Sequence, residues 1–241
     1  TLPAVKESSV PAGGHLEGNR IGFDAGGSDR KVSAVVDGKT IYSEEVVWFP
    51  KTNEDPKYHY DGIYTAMKTA AEKMGNKIDA IGVSSAGVYI DNKIMVASLF
   101  VKVPKDLFEK HVKYMYIDIA KQLEKEVGHP IPLEVANDGD VTALAGAMEL
   151  KDTNVLGIAM GTSEAAGYVD SNGNLTGWLN ELAFVPVDFN KDAMVDEWSL
   201  DYGCGVKYFS QDSVIKLAPA ANIELDPSLS PAEKLKVVQK L

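Results

Sequence analysis

The stretch IGFDAGGSDRKVSAVVDGK, residues 21–39, drives an apolar strand into Asp24, breaks at Gly26-Gly27-Ser28 and resumes as a second strand. A tight reversal needs glycine, but it needs neither the carboxylate at its mouth nor the hydroxyl, so those two groups call for a separate reason. Glycines let backbone N–H groups approach phosphate oxygens closely, and a small hydroxyl adds a donor where a larger side chain would clash. Residues 154–178 repeat the arrangement: the strand NVLGIAM, a Gly161-Thr162-Ser163 turn, then AAGYVDSNGNLTGW with an Asn172-Gly173 hairpin signal. Two similar halves, each offering a small-residue turn to a shared cleft, are a natural way to grip the phosphate chain of a nucleotide from both sides. Gly26, Gly27, Ser28, Gly161, Thr162 and Ser163 are therefore candidate phosphate contacts. Asp24 sits where a carboxylate could hold Mg2+, directly or through water, because that ion takes oxygen ligands and keeps much of its hydration.

The elements that must carry these turns are legible from periodicity. RIGFD (20–24), KVSAVVDG (31–38) and KTIYSEEVVWF (39–49) are β-branched and partly alternating, and they are separated by the GGS turn and by Asp37-Gly38. Three consecutive antiparallel strands are the economical reading. PKTNEDPKYHYDG is polar and reads as a loop. Ile63, Met67, Ala70, Ala71 and Met74 then recur at helical spacing, with Gly75 as the stop. IDAIGVSSAG (78–87) is a short buried strand, and VYIDNKIMVAS is a hairpin over Asp91-Asn92. The stripe Leu107, Phe108, Val112, Met115, Ile119, Leu123 and Val127 predicts one long helix ending at Gly128. LEVAND is a strand running into a polar turn, and DVTALAGAMEL is a helix. Strands feeding helices in this order predict a mixed α/β sheet.

Composition closes off several classes of function. At 241 residues and 45% hydrophobic content the chain is one large domain or two modest ones. A net charge of -11 without a basic run argues against nucleic acid, whose binding depends on neutralising phosphates. No apolar run reaches the roughly 18 residues of a membrane-spanning helix, and the opening TLPAVKESSVPAGG has no signal-peptide core. A lone Cys204 can form neither an internal disulfide nor a thiolate cage. A soluble, cytoplasmic protein is expected. The chain starts at Thr1 and ends in SPAEKLKVVQKL, an amphipathic helix pattern without a stop signal, which reads as a fragment.

Four segments, taken in order, resemble the ROK group of sugar kinases and repressors within the actin and hexokinase superfamily. DAGGSDRK is similar to that family's first phosphate motif, with Ser28 in the Thr place and the basic counterpart, Arg30 or Lys31, displaced by the extra Asp29. VANDGDVTALAG is similar to the segment carrying the catalytic base, GIAMGTSEAAGYV to the second phosphate motif, and NELAF to the Glu-containing sugar motif. The match runs from about residue 20 to 215. It implies an α/β, ribonuclease-H-like fold of the actin/hexokinase type with two lobes, residues 1–150 and 151–241, the second incomplete. It implies an ATP-dependent phosphotransferase acting on a hydroxyl of a sugar or sugar-like substrate, with Mg2+ accompanying the ATP, and it admits a homodimer. Asp138 would be the general base, and Asn137 and Glu181 would bind substrate hydroxyls. Phosphoryl transfer asks mainly for positioning and charge neutralisation, with one carboxylate placed to take the proton of the attacking hydroxyl. Asp138 or Asp140 could instead simply cap the following helix.

The chain also departs from the family pattern. Phe184 stands at the family's zinc-binding His, and Glu197 and Ser199 stand where the first two cysteines would align. One thiolate cannot close a tetrahedral site, so no structural zinc is expected. Val206 replaces another expected Glu. Trp178 or Phe184 could stack on a sugar ring, and Trp178 could equally be core. The family's adenosine-binding segment, a Gly-rich strand and helix, is expected to follow Leu241 or to come from another polypeptide. Two other readings stand beside the kinase: a non-catalytic sugar-binding sensor, and an actin-like ATPase. The four histidines, His15, His59, His111 and His129, are read as surface or core residues.

Overall fold

The computed structural model describes residues 9–11, 13–161, 163–197 and 199–238. Thr162, one of the phosphate candidates, lies outside the described residues. The chain divides into two compact units, Gly13–Val141 and, together with the N-terminal segment, Thr142–Leu241. Strand β1 (Val10–Pro11) belongs to the second.

In the first unit β2 (Asn19–Ala25), β3 (Asp29–Val36) and β4 (Lys39–Val47) form the antiparallel run that alternation predicts. The reversal between β3 and β4 has positive φ at both Asp37 (47°) and Gly38 (77°), the geometry an Asp-Gly hairpin favours. Helix α1 (Pro56–Lys73) packs on β2, β3 and β4. The chain then enters β5 (Ala80–Ser85), which lies parallel to β2. The small hairpin of β6 (Val88–Ile90) and β7 (Lys93–Val96) follows, with the positive φ of Asp91 and Asn92 at its tip. The helical region α2 (Lys105–Leu107) to α3 (Met115–Val127) leads to β8 (Leu133–Ala136), parallel to β5. The sheet order is β4-β3-β2-β5-β8. Ile21, Phe23, Ile81 and Val83 from the strands form one core with Ile63, Met67, Met115 and Ile119 from the helices.

Two expectations are corrected here. The polar stretch from Pro50 opens with a 3-10 turn, Pro50–Thr52, and is irregular only as far as Asp55, whose carboxylate caps the Lys57 N–H at 2.9 Å; Pro56 is then the first residue of α1, a position where its missing N–H costs nothing. The helix expected from Leu107 to Val127 is interrupted: Phe108–Val112 is a π-turn, and the Lys113 N–H reaches back to the Phe108 carbonyl. The Lys113 carbonyl is diverted to the N–H of Ile94 on β7 at 2.9 Å, so the apolar stripe continues while the backbone ladder breaks.

In the second unit β9 (Val155–Met160), β10 (Glu164–Val169) and β11 (Asn174–Leu175) form an antiparallel sheet in the order β1-β11-β10-β9. Helix α4 (Asp138–Leu150) lies directly on β9: a Cβ on Gly157 would fall 2.5 Å from the Ala143 backbone, so only glycine admits this approach. Short 3-10 turns at Leu182–Phe184 and Gly205–Lys207 precede α5 (Gln211–Leu217) and α6 (Pro231–Val238). The repeat read from sequence is present in both sheets, with β2–turn–β3 answered by β9–turn–β10. Among the described residues, no helix is long and apolar enough to cross a membrane.

Candidate active site

Strands β2, β5 and β8 run parallel and side by side, so their carboxyl ends open at one edge of the sheet, the edge where open α/β sheets bind ligands. Asp24, Ser84 and Ala136 occupy one row across these three strands, and Asn137-Asp138 follow directly. The first unit thus brings together Asp24, Gly26, Gly27, Ser28, Asn137 and Asp138 at one sheet edge.

Asp24 is held by its neighbour on β5: the Ser84 hydroxyl donates to Asp24 Oδ1 at 2.8 Å. Lys31 Nζ stands 3.8 Å from Asp24 Oδ2 and 2.5 Å from Asp29 Oδ1. The lysine hydrogen bond is the main reason that the Asp29 carboxyl lies below its ordinary range. The two candidate cations separate: Lys31 turns to Asp24, whereas Arg30 turns to α1, where its Nε would be 3.4 Å from a Cβ on Gly62.

The Gly26–Ser28 turn is tied down by Trp48, whose indole N–H donates to the Gly26 carbonyl at 2.8 Å and whose backbone N–H donates to the Ser28 carbonyl at 3.1 Å. A Cβ on Gly26 would come 2.7 Å from the Asp29 carbonyl oxygen. Ser28 Oγ donates to Asp29 Oδ2 at 3.0 Å. Lys51, which sequence reasoning missed, lies over this turn, its Nζ 3.1 Å from where a Gly27 Cβ would be. Its only sequence signal was a basic residue in a loop.

Asp138 opens α4, and the Gly139 N–H of its first turn is shared between Asn137 Oδ1 at 2.8 Å and Asp138 Oδ1 at 3.1 Å. Asn137 Nδ2 donates to the Gly87 carbonyl, also at 2.8 Å. Burial raises the Asp138 carboxyl above its ordinary value, the Gly139 N–H at 3.1 Å opposes that rise, and the charge of Asp24 adds to it. A carboxylate made more basic in this way is a better proton acceptor.

The remaining candidates lie in the second unit. The Gly161 N–H donates to the Ser163 carbonyl at 2.9 Å, closing a tight turn between β9 and β10. Glu181 precedes the 3-10 turn Leu182–Phe184 and its carbonyl accepts the Phe184 N–H at 3.2 Å. Trp178 is not core: it is 54% exposed and stacks on Tyr168 with ring planes 4° apart. Phe184 packs against Ala183, Cys204 and Val206. Buried Lys207 forms ion pairs with Asp196 and Glu197. Among the described residues, no group of three or more His, Cys, Asp and Glu is placed to hold a metal. His59 is the buried histidine, its ring nitrogens 3.1 Å from the Asp55 carbonyl and 3.0 Å from that of Pro50; His15, His111 and His129 are exposed.

No protein-family model matches the chain, and no curated protein matches it. Solved structures do. A ROK family glucokinase from Streptomyces griseus, crystallised with glucose and AMPPNP, matches with a TM-score of 0.62 at 22% identity, over 85% of this chain and 62% of that one. A ROK hexokinase from Thermus thermophilus matches with a TM-score of 0.58 at 18% identity, over 90% of this chain and 72% of that one. A ROK family transcriptional regulator, a homologue of the E. coli MLC protein, matches with a TM-score of 0.59 at 15% identity, over 86% and 50%. The chain has the α/β fold of the actin and hexokinase type. Within that class its fold is that of the ROK sugar kinases, and it spans 62% of the length of the Streptomyces glucokinase.

Proposed function

We propose that this chain carries the site of an ATP-dependent phosphotransferase acting on a hydroxyl of a sugar or sugar-like substrate, with Asp138 as general base. The observation behind this reading is the meeting of Asp24, the Gly26–Ser28 turn and Asp138 at the carboxyl ends of the adjacent parallel strands β2, β5 and β8. Asp138 takes the proton of a substrate hydroxyl, the oxygen attacks the γ-phosphorus of ATP, and the bond to the ADP oxygen breaks, leaving ADP and a phosphorylated sugar. Backbone N–H groups of the Gly26–Ser28 turn face the phosphates, with Lys31 and Lys51 as nearby cations. Gly161, Thr162 and Ser163 serve as a second phosphate turn, Glu181 binds a sugar hydroxyl, and Asn137 acts beside the base, its amide held by the Gly87 carbonyl and the Gly139 N–H.

Asp24 suits a hydrated Mg2+ ion: it is a hard oxygen donor, oriented by Ser84 through one oxygen while the other points toward Lys31. Bound there, the ion would neutralise charge on the nucleotide's phosphates.

A second reading, a sugar sensor without catalysis, draws on the likeness to the ROK regulator. One experiment separates the two. ADP production is measured across a panel of hexoses, amino sugars and polyols, for the wild type and for Asp138→Asn. The kinase reading expects turnover with at least one sugar and a loss on the order of 100-fold or more in the variant. Sugar binding without nucleotide and without ADP production would replace it with the sensor.

A further inference from the structure

The β6–β7 hairpin grips the segment that carries Asp138 at two points. At its tip, Asn92 stands in for a missing strand along the outer edge of β8: its Nδ2 donates to the Leu133 carbonyl at 2.9 Å and its Oδ1 accepts the Val135 N–H at 2.8 Å. These groups belong to alternate residues and point to the same side, away from β5, so the side chain continues the ladder that the sheet order ends at β8. At the base of the hairpin, the Gly87 carbonyl accepts Asn137 Nδ2 at 2.8 Å.

The hairpin itself is firmly seated. Gly87 has φ 138°, and a Cβ there would fall 2.4 Å from the Val96 carbonyl oxygen, so its backbone is fixed in a conformation that only glycine adopts. The turn leading into it is braced by two phenols: Tyr89 Oη lies 2.6 Å from Ser85 Oγ and 3.1 Å from the Ala86 carbonyl, and the Tyr116 hydroxyl donates to Ser85 Oγ at 3.1 Å. Ser85 and Tyr116 are buried, and on the far side the Ile94 N–H is bonded to the Lys113 carbonyl.

We propose that this hairpin is a positioning clamp for Asp138, with Asn137 as the positioning residue that passes its hold on to the first turn of α4. The side chain of Asn137 joins Gly87 on one side to the Gly139 N–H on the other, so a shift of the hairpin moves the backbone on which Asp138 sits. The clamp rests on the reading of Asp138 as the base, but its hold on the α4 N-terminus is measurable without turnover.

The test compares Asn137→Ser, Asn92→Ala, Tyr89→Phe and the double variant Asn92→Ala/Asn137→Ser in the full chain. Serine still caps a helix but cannot reach Gly87, so Asn137→Ser separates clamp from cap. Amide hydrogen exchange at Gly139 and Val141 is expected to quicken several-fold in Asn137→Ser and Asn92→Ala, although Asn92 is bonded to β8 and not to α4. With the accepted sugar, kcat falls on the order of 10-fold to 100-fold in Asn137→Ser while the sugar KM stays within about twofold, as misplacement of a reacting group predicts. The double variant falls by less than the product of its parents, because both act through one path.

Unchanged exchange at Gly139 and Val141 in all variants overturns the clamp. So does a raised sugar KM at constant kcat in Asn137→Ser, which would make Asn137 a substrate contact only. If neither wild type nor variants turn over any sugar, the kinase reading fails, and the exchange data still decide whether the hairpin holds α4.

Discussion

The Ser84 hydroxyl donates to Asp24 Oδ1 at 2.8 Å across directly paired positions of the parallel strands β2 and β5. Fixed by that bond, the carboxylate keeps Oδ2 on the side of Lys31. Ser84→Ala leaves the charge but frees the carboxylate to rotate, and Asp24→Asn removes the charge. A hydrogen bond to a charged group contributes about 1.5–3 kcal/mol. The Mg2+ concentration needed for half-maximal binding of a fluorescent ATP analogue is therefore expected to rise about tenfold in Ser84→Ala and further in Asp24→Asn. Identical Mg2+ titrations for all three proteins would remove Asp24 from the metal's reach.

The two glycines of the first turn are not equivalent. An alanine at 26 would bring Cβ to 2.7 Å from the Asp29 backbone oxygen, which cannot move without disturbing the pairing of β3. At 27 the nearest atoms are the end of the Lys51 side chain, at 3.0 and 3.1 Å, which can swing away. Gly26→Ala should therefore lose about 1–3 kcal/mol of stability, as other overpacked sites do. Gly27→Ala should fold normally and alter nucleotide affinity only. Urea midpoints together with nucleotide titrations check both; equal midpoints for Gly26→Ala and wild type would contradict the tightness of the turn.

What sequence could and could not provide follows from how local each feature is. Strands β2 to β4 were legible because β-branched alternation and the Asp37-Gly38 turn are decided within a few residues. The start of α1 was missed although Asp55-Pro56 is a capping signal. Its inward positions before Ile63 are Pro56 and His59, and a histidine buried by bonds to two carbonyl oxygens does not register in an apolar stripe. The break at Lys113 is invisible for another reason, since the stripe persists through it and the partner of its carbonyl, Ile94, is 19 residues away. Asp24 and the two turns could be picked out by residue type. Ser84, Lys51 and Asn92 could not, because each acts on residues brought near only by the sheet.

Glu164 on β10 is 6% exposed, and its Oε2 has no hydrogen-bond partner among the described residues. A Cβ on Gly205 would lie 2.6 Å from that oxygen and 2.5 Å from the Leu182 carbonyl oxygen, so the acid and a backbone acceptor face the same small space. Burial raises this carboxyl above its ordinary value. A group whose folded-state pKa is raised contributes fully to stability below its unfolded pKa, and that contribution is lost as pH rises through the folded value. Glu164→Gln stays neutral throughout and can donate toward Leu182. In denaturant titrations its unfolding free energy should match that of the wild type near pH 4 and exceed it near pH 7.5 by about 1–3 kcal/mol, the cost of an unsatisfied buried polar group. A constant difference across pH would show that Glu164 has the same pKa in the folded and the unfolded chain.

Among the described residues β9 has one strand partner, β10, so its other edge is open. Its sequence, VLGIAM, carries no charge and no proline, and Leu156, Ile158 and Met160 point outward at 54%, 43% and 67% exposure. The other sheet protects its two edges. β4 bears Lys39, Glu44 and Glu45, and β8 is covered by Asn92. An uncharged apolar edge is a template for pairing with another chain. The 241-residue chain is therefore expected to self-associate at concentrations where its net charge of -11 would otherwise keep it dispersed. Ile158→Lys puts a charge on the exposed face without touching the packing of Gly157 on Ala143. Static light scattering should then report a lower apparent mass at equal concentration, with the thermal midpoint unchanged. A wild type that stays monomeric through the millimolar range, with scattering indistinguishable from the variant, would mean that β9 is shielded in a way its sheet position does not suggest.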